Sequence, residues 1–180
     1  MPMQQIFTRR TRLAALSQGE LESYLNHPKK LAAKLECQLS SKIITAVVER
    51  AVRMKIENMS ATPIDDHPWY TYWLLVIADS NFGAGLIGFK GVSTGYKQVE
   101  IGYGIDPNFG NKGYTTEGAQ ALIQWAFQDE RCSSIVACHV LNDNLPSIRV
   151  LQKLGFQIYE RIGDTCSYMI QKKERQAAAI

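Results

Sequence analysis

The pattern of apolar and polar residues changes near Trp69, with helical spacing before it and short alternating runs after it. In the first part, a short strand is predicted over residues 12–16. Helical segments over residues 18–26 and 29–37 follow, and His27-Pro28 separates them because proline disfavours helix in the residue before it. The first third of the chain is therefore predicted to be mainly helical.

The clearest of these early helices follows Ser40-Ser41, a pair that can cap a helix N-terminus. Its apolar residues recur at i, i+3, i+4 and i+7 and predict one buried stripe: Ile44, Val47, Val48 and Ala51. The loop after this helix, residues 63–68, holds Asp65, Asp66 and His67. Two acids and a histidine together are compatible with a cation site or with a simple turn beside proline.

Three short strands are predicted after Trp69, over residues 72–78, 85–90 and 99–105. The segments between them contain Asp, Ser, Asn and Gly, the residues that favour turns. Because these connections are too short for a crossover, the three strands are predicted to form an antiparallel meander.

The third of these strands has two unlike faces. One face is apolar and consists of Val99, Ile101, Tyr103 and Ile105. The other carries Glu100, Gly102 and Gly104, and glycine inside a strand often marks the close approach of a ligand or of another backbone. This face is predicted to be either the floor of a cleft or an ordinary solvent-facing surface at a sheet edge.

A glycine-containing loop joins this strand to an amphipathic helix predicted over residues 116–127. The first backbone N–H groups of a helix lack intrahelical partners, and the helix dipole adds partial positive charge there. Gly110 and Gly113 allow a ligand to approach closely, and Lys112 adds a full charge. The loop therefore fits a phosphate or pyrophosphate site, or a plain turn. Neither the Walker pattern nor the three-glycine dinucleotide pattern matches it.

The last third predicts a strand, a helix and a hairpin. The helix after the loop buries Ala119, Leu122, Ile123 and Ala126. A strand over residues 134–140 follows it, so that strand, helix and strand form a right-handed parallel crossover. A helix with Pro146 in its first turn and an apolar side of Ile148, Leu151 and Leu154 ends at Gly155. Strands over 156–162 and 165–170 flank a two-residue turn, Gly163-Asp164.

These elements predict an α+β fold with a mixed, mostly antiparallel central sheet, flanking helices and one parallel βαβ crossover. Because no repeat, linker or low-complexity stretch interrupts the chain, a single domain over residues 1–180 is expected, with an ordered core over about 9–170 and a tail over 171–180.

Composition places the chain among ordinary globular proteins, with 46% apolar and 21% charged residues in 180. The net charge of +3 permits an acidic ligand. The basic residues are dispersed, whereas nucleic-acid binding typically uses a clustered basic face. Two short basic runs, residues 9–12 and 172–175, are predicted to be solvated surface. The longest apolar run, residues 73–78, is far below the roughly 20 residues of a membrane span. Neither a nucleic-acid nor a membrane partner is expected.

Cysteine and histidine spacing gives no sign of a metal centre. The four cysteines form no CxxC pair, and the three histidines are scattered: Cys37, Cys132, Cys138 and Cys166; His27, His67 and His139. The N-terminus lacks the apolar segment of a signal peptide. A reduced, cytoplasmic chain without a structural zinc site is therefore expected.

Four stretches, in this order and spacing, are more specific than the loop alone: Glu100-Ile101-Gly102-Tyr103, Asn111-Lys112-Gly113-Tyr114-Thr115-Thr116-Glu117, Asn144-Leu145-Pro146-Ser147-Ile148-Arg149-Val150-Leu151 and Lys153-Leu154-Gly155-Phe156. With them the chain resembles the GCN5-related N-acetyltransferase (GNAT) superfamily, and within it the branch that includes the ribosomal-protein N-terminal acetyltransferases. The resemblance extends from about Arg9 to Ile170.

This resemblance implies transfer of an acetyl group from acetyl-CoA, as cosubstrate, to a primary amine, without a metal. The pyrophosphate would bind backbone amides of the glycine loop, and the pantetheine arm would lie along the third strand like an added strand. The cofactor-binding residues it implies are Ile105, Asn111, Lys112, Gly113, Tyr114, Thr115, Thr116, Asn144 and Ser147. Capping of the following helix is an equally good role for Asn144.

Direct attack on the thioester needs a neutral amine, because an ammonium has no lone pair. Glu100 is the first candidate for the base by position, and His139 the second. A backbone N–H of the third strand would polarise the acetyl carbonyl. The acceptor is expected to be a small-molecule amine or a peptide N-terminus, and a homodimer is compatible with the family.

Two departures from the family pattern affect these expectations. The loop has Gly110 where Gln or Arg is usual and Thr115 where Gly or Ala is usual. Leu151 stands where many relatives carry the tyrosine that protonates the leaving thiolate. A non-catalytic acyl-CoA-binding module is therefore an alternative, and a structural protein associated with ribosomes or nucleic acid is a third reading, which the dispersed charge disfavours.

Overall fold

A computed structural model describes residues 4–92 and 95–173. In this part of the chain the strands are β1 (Gln5–Phe7), β2 (Thr11–Ala15), β3 (Gln38–Leu39), β4 (Tyr72–Ile77), β5 (Phe82–Phe89), β6 (Gln98–Ile105), β7 (Ser134–Leu141), β8 (Gln157–Ile162) and β9 (Thr165–Gln171). The α-helices are α1 (Gln18–Asn26), α2 (Pro28–Lys34), α3 (Ala46–Ser60), α4 (His67–Tyr70), α5 (Tyr114–Ala126) and α6 (Leu145–Lys153). Short 3-10 turns cover Ile64–Asp66 and Pro107–Phe109.

The strands form one sheet in the order β1-β2-β4-β5-β6-β7-β9-β8, with β3 paired to the start of β5. The predicted meander is confirmed, since β4, β5 and β6 pair antiparallel in sequence. The predicted crossover is confirmed as well, because β6 and β7 pair in parallel. The sheet is therefore mixed and mostly antiparallel, as the sequence predicts, although β1 and β3 were not predicted.

Two apolar layers cover the sheet. On one face α5 and α6 pack over a core that includes Trp73, Phe89 and Ile101. On the other, α1, α2 and α3 pack over a second core that includes Leu74, Val76 and Leu86. A Cβ placed on Gly118 of α5 would lie 2.8 Å from the Leu75 side chain, so glycine lets this helix sit close to the sheet. This close packing fixes α5, whose N-terminus follows β6.

The prediction for the start of α3 is wrong. The helix begins at Ala46, and Thr45 caps it by accepting a hydrogen bond from the Val48 N–H. Ser40 lies outside the helix and donates to Asp106 instead, 2.6 Å away. Side-chain capping is a contact between neighbouring residues, but Ser40 forms its hydrogen bond with Asp106, which is distant in sequence.

The predicted buried stripe of α3 is correct only in part, since Ile44 and Val48 pack against the second core. Ile44 precedes the helix, and Val47 is 77% exposed. The buried residues are Val52, Lys55 and Met59, which extend the stripe toward the second half of the helix. The apolar pattern begins at Ile44, before the helix starts at Ala46, so its residues do not lie on a single helical face.

Three smaller predictions need correction. The second helical segment ends at Lys34 instead of residue 37, and Glu36 then takes a left-handed φ of 51°. The predicted loop over 63–68 forms helical turns, and Asp66 pairs with Arg131 at 2.7 Å. Gln171 still belongs to β9, and the predicted tail from residue 174 onward lies outside the described residues.

Candidate active site

Strands β6 and β7 pair over only three residues and then separate. The pairing joins residues 98–100 to residues 134–136, while β6 continues to Ile105 and β7 to Leu141. On its other side β6 stays paired with β5 as far as Ile105. An opening between β6 and β7 therefore begins just after Glu100.

The backbone of β6 presents unpaired groups to this opening. Glu100 accepts a backbone hydrogen bond from Lys90, and Asp106 donates one to Ala84, so the even-numbered residues of β6 turn their backbone groups toward β5. The groups of the odd-numbered residues point the other way: Ile101, Tyr103 and Ile105. Beyond Glu100 no strand of the described chain pairs with this edge. The edge can therefore accept an extended ligand as an added strand.

The face of β6 that carries Glu100, Gly102 and Gly104 is open at both glycines. A Cβ placed on Gly102 or Gly104 would meet no atom within 4 Å. The glycines of β5 differ, since a Cβ on Gly88 would lie 2.4 Å from the Thr71 carbonyl oxygen. A side chain at either position would thus enter open space, which fits both the cleft floor and the solvent-facing surface that the sequence allows.

Glu100 is paired with a lysine that the sequence analysis did not connect to it. The Lys90 Nζ lies 2.6 Å from Glu100 Oε1, and the Glu100 side chain is 25% exposed. The register of the β5–β6 hairpin explains this ion pair. The strands pair up to Phe89 and Ile101, so the next residues, Lys90 and Glu100, face each other. The candidate base therefore shares one carboxylate oxygen with an ammonium group.

The glycine loop takes the conformation that its glycine permits. Gly113 is the N-cap of α5 with a left-handed φ of 82°, and Asn111 also has a positive φ of 59°. The helix starts at Tyr114, two residues before the predicted start. Within the described chain, the backbone N–H groups of residues 111–116 have no acceptor. This is the donor set that an anion at a helix N-terminus requires.

Glu117, in the first turn of α5, is held by the N-terminal hairpin. It accepts hydrogen bonds from the Thr8 hydroxyl, the Arg10 N–H and Arg10 Nε, each at 2.7 Å. Arg10 also donates to the Lys112 carbonyl and lies over the Tyr114 ring. Burial raises the pKa of Glu117, but these hydrogen bonds outweigh it and lower the pKa. Arg10 is thus part of the loop's support, which corrects its prediction as solvated surface.

The start of the loop is fixed by Asp106, which is almost fully buried. Its carboxylate accepts from the Ser40 hydroxyl at 2.6 Å and from the Asn108 N–H at 2.9 Å. The Ser40 hydrogen bond is the main reason that the pKa of Asp106 lies below its usual value. The loop is therefore held from both sides by segments distant in sequence.

Helix α6 begins on the other side of the opening. Asn144 is its N-cap and accepts from the Ser147 N–H at 3.3 Å, so the capping role is observed. The Tyr103 hydroxyl of β6 lies 3.1 Å from both the Ser147 Oγ and its carbonyl oxygen. Burial raises the pKa of Tyr103 to about 12. Leu151 is fully buried in the core.

His139, the second candidate base, lies in an irregular part of β7. The β7–β9 pairing shifts between Ala137 and Val140, and His139 takes a left-handed φ of 53°. Its backbone N–H donates to the Ser167 hydroxyl, and the residue is exposed. The opening thus lies between β6, with Glu100 at its base, and the β7 strand that carries His139.

The described residues contain neither a metal-binding cluster nor a membrane-spanning helix. Over residues 4–92 and 95–173, no group of three or more His, Cys, Asp or Glu side chains could hold a metal ion. Among the helices of the same residues, none is long and apolar enough to cross a membrane.

Comparison with known proteins assigns the family. A family model described as the acetyltransferase (GNAT) domain matches residues 13–157, well over half of the chain. The chain belongs to the GNAT acetyltransferase family. The splayed parallel strands and the glycine loop before α5 therefore belong to a GNAT domain.

Known GNAT proteins show both sequence and fold similarity. The uncharacterized N-acetyltransferase YjdG of Bacillus subtilis (strain 168) is 40% identical over 85 residues, which are 47% of this chain and 49% of YjdG. The chain thus spans about half the length of this relative. The ribosomal L7/L12 alpha-N-protein acetyltransferase RimL in complex with coenzyme A has a TM-score of 0.64 at 17% identity, over 93% of this chain and 98% of RimL.

A polyamine enzyme shares the fold as well. A chimera of the spermidine N-acetyltransferase SpeG from Vibrio cholerae and hSSAT has a TM-score of 0.60 at 17% identity, over 90% of this chain and 95% of the chimera. At these identities the structural likeness concerns the fold alone. The GNAT fold thus occurs in proteins named for a protein N-terminus and for a small polyamine.

Proposed function

We propose that the protein is an acetyl-CoA-dependent N-acetyltransferase that acts on a primary amine by direct attack. The observation that carries the proposal is the conjunction of two unfilled backbone surfaces at one end of β6. One is the unpaired edge of Ile101, Tyr103 and Ile105 beside the opening, and the other is the run of free N–H groups over residues 111–116. An elongated ligand with an amide-bearing arm and a pyrophosphate matches both.

In this proposal, backbone amides and one lysine hold the cosubstrate's phosphates. Residues 111–116 donate their N–H groups, the α5 dipole adds partial positive charge, and Lys112 adds a full one. The Gly110 and Thr115 departures then matter little, because most donors belong to the backbone. Ile105 and its neighbours on β6 bind the amide arm, while Asn144 and Ser147 line the far side at the start of α6.

Catalysis in this proposal uses the open face of β6. A backbone N–H of β6 that faces the opening polarises the acetyl carbonyl, and the bare positions at Gly102 and Gly104 leave room for the acceptor. Glu100 is the first candidate to take the amine's proton, with its Lys90 partner displaced or shared, and His139 the second. A thiol has a pKa of about 8.5, so the leaving thiolate does not require the tyrosine that Leu151 replaces.

The acceptor is proposed to be either a peptide N-terminus or a small-molecule amine. RimL and SpeG, named for these two kinds of acceptor, both share the fold. A cytoplasmic location is part of the proposal, and it is supported by the four cysteines, which are all free thiols.

Thermal unfolding tests cosubstrate binding, with ATP and NADH as control ligands. Acetyl-CoA at about 100 times its Kd should stabilise the folded state by roughly 2.7 kcal/mol, a rise in Tm of about 5–11 °C. An amine panel read by release of free CoA thiol then tests turnover. The absence of a Tm shift at millimolar acetyl-CoA would refute the proposal.

Two glycines provide a matched pair for locating the site. Gly113 in the loop and Gly155 after α6 have almost the same φ, 82° and 85°. Alanine at either position should cost about 1–2 kcal/mol of stability, because a Cβ is disfavoured in this conformation. Only Gly113→Ala should also reduce the acetyl-CoA-induced shift.

A non-catalytic acyl-CoA-binding module is the second candidate, and the buried Leu151 favours it. It predicts the same Tm shift with acetyl-CoA but no thiol release with any amine in the panel.

A further inference from the structure

An ion pair stands where the acceptor's amine is proposed to lose its proton. The Lys90 Nζ lies 2.6 Å from Glu100 Oε1, and the Lys90 side chain is 66% exposed. Lys90 follows Phe89, the last residue of β5, and its flexible side chain can rotate away from the pair. An amine that approaches Glu100 therefore competes with the Lys90 ammonium for the same carboxylate.

A second lysine lies beside this pair and is enclosed by the protein. Lys55 of α3 is 7% exposed, and its Nζ donates to the backbone carbonyls of Tyr70 and Phe89. The centre of the Tyr72 ring lies 4.5 Å from the same Nζ. Because Phe89 directly precedes Lys90, the Lys55 ammonium lies next to the backbone from which the Lys90 side chain extends.

The positive charge of Lys55 has no carboxylate partner in the described chain. Over residues 4–92 and 95–173, no salt bridge includes Lys55, and the Glu100 carboxylate pairs with Lys90. Burial is the main reason that the pKa of Lys55 falls to about 7, and the charge of Lys90 lowers it further. Two basic groups thus share one acidic group. Because an opposite charge nearby stabilises a buried cation, the arrangement favours a ligand that brings a negative group.

These side chains lie on the face of the sheet that carries the bare glycines. Glu100 shares its face with Gly102 and Gly104, because alternate residues of a strand point the same way. Leu86 pairs with Gly104 and belongs to the core beneath α3, the helix that supplies Lys55. The ion pair therefore borders the opening between β6 and β7, where a Cβ at Gly102 would meet no atom within 4 Å.

We propose that the acceptor is a free α-amino acid, whose amine contacts Glu100 and whose carboxylate contacts Lys90. This inference rests on the proposed acetyltransferase function and narrows its acceptor to one class of small molecule. The amino acid replaces both halves of the ion pair, because its amine and its carboxylate are attached to the same carbon. A polyamine would instead bring further positive charge beside two lysines, and a peptide N-terminus has a neutral carbonyl in place of the carboxylate.

The transfer keeps the proton route of the proposed function. Glu100 takes one proton from the bound ammonium, which leaves an amine with a lone pair, and later releases that proton to water. The bond from nitrogen to the acetyl carbon forms, and the carbon–sulfur bond of the thioester breaks with its electron pair leaving on the CoA thiolate. The nitrogen loses its second proton to water as the amide forms. The product has no ammonium, so Glu100 can pair with Lys90 again.

Steady-state kinetics with matched acceptors test this class. The standard amino acids are compared with their amides, with the amines that lack the carboxyl group, and with spermidine. The best amino acid should have a kcat/KM about tenfold or more above that of its own amide, because the amide lacks the charged contact to Lys90. Removal of the negative charge also lowers the pKa of the amine, so that more of the amide is in the reactive neutral form near pH 7. A preference for the free acid must therefore come from the protein.

Variants at Lys90 locate the contact. Lys90→Gln should bring the kcat/KM ratio of acid to amide close to one, mainly through a higher KM for the acid, because only the acid loses a charged partner. Lys90→Glu should reverse the preference in favour of spermidine, because two carboxylates then border the opening. Lys30→Gln, at an exposed lysine of α2, is the control and should keep the wild-type ratio.

The outcomes separate this inference from the proposed function. If an amide, spermidine or a short peptide reacted as well as the best amino acid, the acceptor class would be overturned while the N-acetyltransferase activity stood. A ratio of acid to amide that Lys90→Gln leaves unchanged would overturn the contact. Release of no thiol with any acceptor, while acetyl-CoA still raises Tm, would refute the proposed function, and with it this inference.

Discussion

Alanine at Gly102 should make the protein more stable and less active at the same time. Glycine in a strand costs roughly 0.5–1 kcal/mol relative to alanine, mainly through chain entropy. The Cβ of alanine at this position would meet no atom within 4 Å, so no clash offsets the gain. For a domain of 180 residues, this gain corresponds to a rise in Tm of about 1–4 °C.

The same methyl group occupies the floor beside the opening where the acceptor is proposed to lie. A displacement of about 1 Å in a reacting group can cost about 100-fold in rate. We therefore expect kcat/KM for the amine to fall at least tenfold in Gly102→Ala, while acetyl-CoA still raises Tm. Thermal unfolding gives the stability, and thiol release with the amine identified for the wild type gives the activity.

Gly88→Ala is the matched control on the neighbouring strand. Its Cβ would lie 2.4 Å from the Thr71 carbonyl oxygen, so the backbone must move. A loss of about 1–3 kcal/mol is expected from this overpacking. If Gly102→Ala lost stability as Gly88→Ala does, or kept full activity, the reasoning about an open functional floor would be refuted.

Two further predictions concern stability and pH. Glu117→Gln should lower the free energy of unfolding by about 1–3 kcal/mol at pH 7, because the carboxylate accepts hydrogen bonds from Thr8 and Arg10. Its folded pKa lies below the ordinary 4.5, so urea titrations should show this difference complete above pH 4.5 and shrinking as pH falls further. Burial lowers the pKa of Lys55 from 10.5 to about 7, so the unfolded chain binds more protons between those values. The free energy of unfolding of the wild type should therefore rise between pH 7 and pH 10 relative to that of Lys55→Met, as measured by urea unfolding at each pH. The same pH dependence in both proteins would contradict this.

The sequence pattern predicts much of the fold, because in several elements the spacing of apolar residues matches the face that is buried. The alternation over β6 and the apolar side of α5 are confirmed, and Gly155, predicted as a helix end, has the left-handed φ that such a position needs. The exception is α3, because the apolar spacing that predicts its buried face begins before the helix. Periodicity alone does not mark where a helix begins.

The supports of the candidate site could not be predicted, because they join residues far apart in sequence. Thr8 and Glu117 are 109 residues apart, and Ser40 and Asp106 are 66 apart. A short basic run and a serine pair carry no local sign of such partners. Sequence alone locates the loop and its glycines, whereas the structure shows how the loop is held.

Hydrogen–deuterium exchange with and without acetyl-CoA tests the central claim most directly. The account predicts slower exchange at two places together, the loop amides of residues 111–116 and the free edge of β6 over residues 101–105. The hairpin turn at Gly163, far along the chain, serves as an internal reference. Protection confined to other regions, or no protection while acetyl-CoA still raises Tm, would show that the cosubstrate binds elsewhere and would contradict the account.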